Sequence, residues 1–178
     1  MYFFLFSRHI STIFLNNIYK IVKFVRGDSM ISYEINCNTL ALLPVSIYET
    51  KIIEKDNTFI INNNTMDIIK NSCEFFGSSY LGRKEGTKNL TGIKSKCPII
   101  IEETNNIIYF PTISPRLSTC SWISFNSIKR YINNNGKTTI IFENDKVLDL
   151  DISYGSFNNQ VLRSAKLESI LRKRINNI

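Results

Sequence analysis

Hydrophobic and polar positions change period several times along the chain, and the changes mark its elements. From Tyr33 to Asn62 the runs Thr39–Val45, Lys51–Lys55 and Thr58–Ile61 are β-branched and separated by turn formers such as Asp56-Asn57, which predicts antiparallel strands. A helix follows over residues 65–76. Thr65 is its expected cap, Asp67 suits its first turn, Ile69, Cys73 and Phe76 share one face, and Gly77 ends it. Pro98–Glu102 and Ile107–Phe110 read as a hairpin through Thr104-Asn105-Asn106, and Ser121–Phe125 as another strand. A helical turn is expected over 127–133. Thr138–Glu143 and Val147–Ile152 alternate cleanly about Asn144-Asp145-Lys146 as a second hairpin. A helix from about Phe157 to Ile175 closes the pattern, with Val161, Leu167, Leu171, Ile175 and Ile178 in one stripe and Arg163, Lys166, Lys173 and Arg174 opposite. The fold class is therefore α+β, with mostly antiparallel sheet in one domain over 30–178.

Between these elements, Gly77 to Lys96 holds Gly77, Gly82, Gly86 and Gly92, with Arg83, Lys84, Lys88, Lys94 and Lys96 opposed by Glu85. It reads as a basic, flexible loop. Glycine lets backbone approach a surface closely and the cations can reach phosphates. The order is not a Walker motif, because Arg83-Lys84 is followed by Glu85.

The segment Met1–Ser29 has a different composition, rich in Phe and Ile. Arg8 interrupts its apolar stretch and no small-residue cleavage site follows, which argues against a secretory signal; the charge-free run His9–Tyr19 is too short to span a bilayer. Arg26-Gly27-Asp28 just before Met30 fits a translated ribosome-binding site, so the expected start is Met30, and the competing reading is an interfacial membrane anchor over residues 1–25. The overall net charge of +7 also changes with that start: Met30–Ile178 holds 18 basic and 14 acidic residues. Clustering then matters more than the total.

Catalytic chemistry is poorly provided for. No histidine follows His9, which removes Ser–His–Asp and Cys–His mechanisms from residue 30 onward. Cys37, Cys73, Cys97 and Cys120 form no CxxC pair and are read as reduced packing thiols, with no metal expected. Asp149 and Asp151 would share one side of a strand and could serve a metal-dependent nuclease, but the alternation of Leu148, Leu150 and Ile152 makes them the solvent side of an amphipathic strand; Glu102-Glu103 is the other acidic pair. Trp122, Phe125, Phe75, Phe76 and Tyr80 could stack on unpaired bases, although core packing is the expected use.

Three ordered stretches carry a resemblance: Cys73-Glu74-Phe75-Phe76-Gly77-Ser78-Ser79-Tyr80-Leu81-Gly82-Arg83-Lys84, then Cys120-Ser121-Trp122-Ile123-Ser124, then Ile152-Ser153-Tyr154-Gly155-Ser156-Phe157-Asn158-Asn159-Gln160-Val161. With Tyr33–Asn36 and Lys51–Asp56 they resemble the competence transcription factor family, ComK, from about Ser32 to Ile175. The resemblance implies a cytoplasmic activator of DNA-uptake and recombination genes without enzymatic activity or cofactor. It would bind paired AT-rich boxes in double-stranded DNA through the minor groove, as a dimer or tetramer. Arg83 is the first candidate for minor-groove insertion and Lys84, Lys88, Lys94 and Lys96 support it; Arg163, Lys166, Lys173 and Arg174 are candidates for phosphate or interface contacts. Family members meet a proteolytic adaptor through a C-terminal tail. The sequence here stops soon after its last helix, which leaves that adaptor out of the expectation.

Overall fold

In the computed structural model, residues 33–175 are described, so both readings of Met1–Ser29 and the place of Ile178 in the helical stripe lie outside the described residues. The predicted strands form nearly where expected: β1 is Thr39–Pro44, β2 Thr50–Glu54, β3 Thr58–Ile61, β4 Ile99–Glu102, β5 Ile107–Pro111 and β6 Trp122–Ser124. They pair antiparallel in the order β3-β2-β1-β6-β5-β4. Every residue of β4 and β5 is buried, so this end of the sheet is covered on both faces.

The first helix, α1, spans Thr65–Phe75. Its cap is Asn64 and not Thr65, because Asn64 is the residue with extended backbone, and its Oδ1 accepts the Asp67 N–H at 2.9 Å. Thr65 lies one residue inside, buried, and its hydroxyl donates to the Cys120 carbonyl at 3.2 Å. The buried face is Ile68, Ile69, Ser72 and Cys73, while Phe76 is only half-buried and Gly77 turns the chain at φ +73°.

Two expectations fail, each for a local reason. The stretch taken as a flexible basic loop contains a helix, α2, over Tyr80–Thr91. Ser79 caps it by accepting the Gly82 N–H at 3.0 Å, and Gly92, left-handed at φ +75°, stops it. Its inward positions are Thr87 and Thr91, whose hydroxyls donate to the Pro98 and Thr87 carbonyls at 2.9 and 2.7 Å. A helix that buries threonines leaves no apolar stripe to read.

The helical turn expected over 127–133 is instead a strand, β7, Ile128–Asn134. It pairs with β8, Lys137–Phe142, in register Tyr131↔Ile140, and β8 pairs with β9, Val147–Leu150, completing a three-stranded antiparallel sheet. Asn135 and Gly136 connect β7 to β8 at φ +51° and +85°. Both values are what a two-residue type I′ hairpin requires, so the Asn-Gly pair decides for strand over helix.

The last helix, α3, runs from Tyr154 to Ile175, three residues earlier than predicted, with the Ser153 hydroxyl accepting the Ser156 N–H at its start. Phe157 enters one core with Leu40, Ala41, Phe110 and Ile123 of the large sheet and Ile140, Phe142 and Leu150 of the small one. Leu167 packs with Ile100 and Ile108, flanked by Leu90 and Leu171. Among the described residues the α+β architecture therefore has two antiparallel sheets and three helices, with α3 as the element that fastens the sheets together. Among the described residues no helix is long and apolar enough to cross a membrane.

Candidate nucleic-acid interface

Of the five cations assigned to the presumed loop, the structure gathers three and removes two. Arg83 is an ion-pair partner of Glu103 in the β4–β5 turn, with its side chain only 14% exposed. In this geometry its guanidinium is engaged by a carboxylate and largely covered. Lys88 pairs with Glu85 at 3.1 Å one turn away on α2. Lys84, Lys94 and Lys96 line an open groove of about 1060 Å³, together with Arg116, which sequence reading missed. Among the described residues neither an ion pair nor a side-chain hydrogen bond holds any of these four.

The groove is assembled from α1 (Met66, Lys70 and Glu74), the beginning of α2 (Ser79, Tyr80 and Lys84), the segment 94–97 and the loop 114–118. Glu74 is its one acid. Lys70 is already matched to Asp67 at 3.1 Å, so the unbalanced charge belongs to Lys84, Lys94, Lys96 and Arg116. Four cations around one concavity concentrate positive potential there beyond that of any single lysine.

The position of Lys96 is enforced from behind by α3. Lys96 adopts a left-handed backbone at φ +48°, which a non-glycine residue takes only when its surroundings hold it there. The fully covered amide of Gln160 donates to the carbonyls of Lys96 and Pro111, at 3.2 and 2.6 Å. Arg163 donates to the Ser95 carbonyl at 3.0 Å and Lys166 to the Thr91 carbonyl at 2.8 Å. Arg163 and Lys166, read from sequence as candidate phosphate or interface contacts, thus serve as clamps on backbone. Lys173 and Arg174 are exposed beside Arg172 in the last turn, where cations suit the helix dipole.

The residues of the three matched stretches build this site's frame. Cys73, Phe75, Phe76, Gly77, Ser78 and Ser79 make the α1–α2 connection: Ser78 N–H donates to the Cys73 carbonyl and Gly77 N–H to Glu74, both at 2.9 Å. Gly82 lies close to that cap, where a Cβ would be a tight 3.2 Å from the Ser79 Oγ. Tyr80 meets Trp122 edge-on at 6.3 Å. Trp122 and Ile123 are wholly buried, Phe125 is partly buried, and Phe76 is half-covered beside an exposed Phe75, so these aromatics form no continuous stacking platform. Tyr154 and Phe157 both contact Tyr131, at 5.5 and 5.1 Å, joining α3 to β7.

Reactive chemistry finds little support in the geometry. Burial pushes the Cys73 thiol up to about 11, with the Arg83 charge opposing, and the Tyr80 hydroxyl up to about 12. Burial likewise raises Cys97, against the pull of Lys84 and Arg163, and Cys120, against hydrogen bonds with Ile113 and Thr112. All three thiols are protonated at neutral pH and shielded, while Cys37 is exposed. In the native protein, a thiol reagent followed by mass spectrometry is expected to label Cys37 alone; rapid labelling of Cys97 would show that the groove opens. Asp149 accepts a hydrogen bond from the Thr139 hydroxyl and Asp151 pairs with Lys137 at 3.2 Å, so each carboxylate is separately engaged. Among the described residues no three His, Cys, Asp or Glu side chains are grouped to hold a metal ion.

Comparison with known proteins places these features in a family. The family described as ComK protein matches residues 30–176. The competence transcription factor of Bacillus subtilis (strain 168) is 44% identical over 148 residues, covering 81% of this chain and 77% of that protein. No solved structure matches the chain. The match spans the described sheets and helices and every side of the cationic groove, and the chain belongs to the ComK protein family.

Proposed function

We propose that this chain is a non-enzymatic regulator of competence transcription that activates genes by binding AT-rich boxes in duplex DNA through the minor groove. The observation that carries the reading is the meeting of Lys84, Lys94, Lys96 and Arg116 in one groove with no anion assigned to them. Such spacing suits a phosphodiester backbone, whose neutralisation releases condensed counterions. A·T tracts narrow the minor groove and deepen its negative potential, which favours an inserted guanidinium. Arg116 takes that role here in place of Arg83, because it is exposed and without an ion pair while Arg83 is held by Glu103. Binding to paired boxes would use a dimer or tetramer of this one domain in the cytoplasm.

The test is fluorescence anisotropy of the full chain on AT-box and GC-rich duplexes of equal length across a salt series. Lys96→Ala and Arg116→Ala are each expected to lower the salt slope by about one. Arg116→Ala should also narrow the AT preference, whereas Arg83→Ala should leave that preference standing. Equal affinity for both duplexes in the parent protein would reduce the groove to a general polyanion site and sink the minor-groove reading.

A further inference from the structure

The same groove carries a feature that phosphate binding does not use. Ile47, Leu81 and Leu117 line it with 56, 67 and 53% of their surfaces exposed, in a concavity whose remaining lining is mostly polar or charged. Two of them sit in turns, where polar residues are the rule. Ile47 is in the β1–β2 turn, closed by Val45 N–H to the Glu49 carbonyl at 2.9 Å, with Tyr48, 72% exposed, beside it. Leu117 lies in the loop between β5 and β6.

That loop is rigid. Thr112 N–H donates to the Ser121 carbonyl at 2.9 Å at its base, and Cys120 is held from α1 by the Thr65 hydroxyl. Leu117 N–H donates to Ser114 and Cys120 N–H to Leu117, each at 3.0 Å, so Leu117 stands at the junction of two consecutive turns, with Pro115 presetting the first. Its side chain is thus presented to solvent by a braced support, next to the exposed Arg116. An apolar tip held stiffly among cations meets the two needs of a duplex opened from its minor groove: phosphates to neutralise, and a base step to part.

We propose that Leu117 is an apolar wedge that enters a base step of bound duplex DNA, with Ile47 flanking it and Arg116 inserted in the adjacent minor groove. The inference rests on the DNA reading above and adds base unstacking to it. Unstacking costs a few kcal/mol per step, least at flexible pyrimidine–purine steps such as TA. The wedge therefore favours AT boxes that contain such a step.

The test uses the full chain and an AT-box duplex with 2-aminopurine at successive positions, whose fluorescence rises when the base loses its neighbours. The parent protein is expected to raise the signal several-fold at one step. Leu117→Ser should abolish that rise and weaken binding by about tenfold, with an unchanged salt slope and an unchanged melting temperature, since the side chain is exposed. Ile47→Ser should reduce the rise partly. If the parent binds the duplex with no rise at any step, or Leu117→Ser keeps it, the wedge is overturned while the DNA reading stands. If the parent binds no duplex, the DNA reading itself fails. Sedimentation with anionic phospholipid vesicles that depends on Leu117 in the absence of duplex binding would assign the tip to a membrane and overturn both.

Discussion

Phe157→Ala is expected to destabilise the protein by about 3–5 kcal/mol, the range for emptying a fully enclosed aromatic site. The side chain has no exposed surface and meets Phe110 edge-on at 5.4 Å and Tyr131 at 5.1 Å. Phe110 belongs to the six-stranded sheet, Tyr131 to the three-stranded one, and Phe157 to α3, so one cavity loosens three elements. The sides cannot close over the gap independently, because each is anchored in its own hydrogen-bonded ladder. Against a total stability of about 5–15 kcal/mol, that loss is a large fraction. A melting temperature lowered by roughly 10 °C is the expected readout. Leu162→Ala on the same helix, 59% exposed, serves as comparison and should change stability by no more than about 0.5 kcal/mol. Equal effects of the two would refute the placement of Phe157 at the junction.

Gln160→Met tests the link between helix and groove. Methionine keeps the volume but removes both N–H donors, leaving the Lys96 and Pro111 carbonyls without the partner they have now. An unmatched buried acceptor costs about 1–3 kcal/mol, so a stability loss of about 2 kcal/mol is expected in urea titration. The second readout is duplex affinity under conditions where the variant is fully folded. Lys96 occupies a backbone conformation that is held and not intrinsic, so loss of the Gln160 amide should let residues 94–96 relax and weaken binding. Unchanged affinity in a destabilised but folded variant would separate the packing role of Gln160 from the groove.

The boundary between what the sequence discloses and what it conceals follows the kinds of interaction involved. Strands β1 to β6 are visible because β-branched runs and turn residues alternate in the expected way. The helix α2 is concealed because its buried side is made of Thr87 and Thr91 and its surface of glycines and lysines, which together imitate a loop. Its signal was local and specific: Ser79 at the cap and Gly92 past the end. In the same way β7 was recoverable from Asn135-Gly136, a pair that outweighs the helical spacing of Ile128, Tyr131 and Ile132. At the site, clustering of charge along the chain found Lys84, Lys94 and Lys96. It could not foresee that Glu103, twenty positions away, engages Arg83, nor that the loop carrying Arg116 folds across to α1. Long-range pairing of that kind has no periodic trace in the chain. The clamps by Arg163 and Lys166 are hidden for a related reason: a basic side chain that grips a carbonyl looks the same in sequence as one that faces water.

The dependence of the groove on α3 also means that the groove is completed only late in the chain's synthesis. Lys84, Lys94 and Lys96 leave the ribosome long before Gln160, Arg163 and Lys166, and until those arrive the 91–96 segment has nothing to hold its carbonyls. A partly made chain accordingly carries the groove's cations without their arrangement.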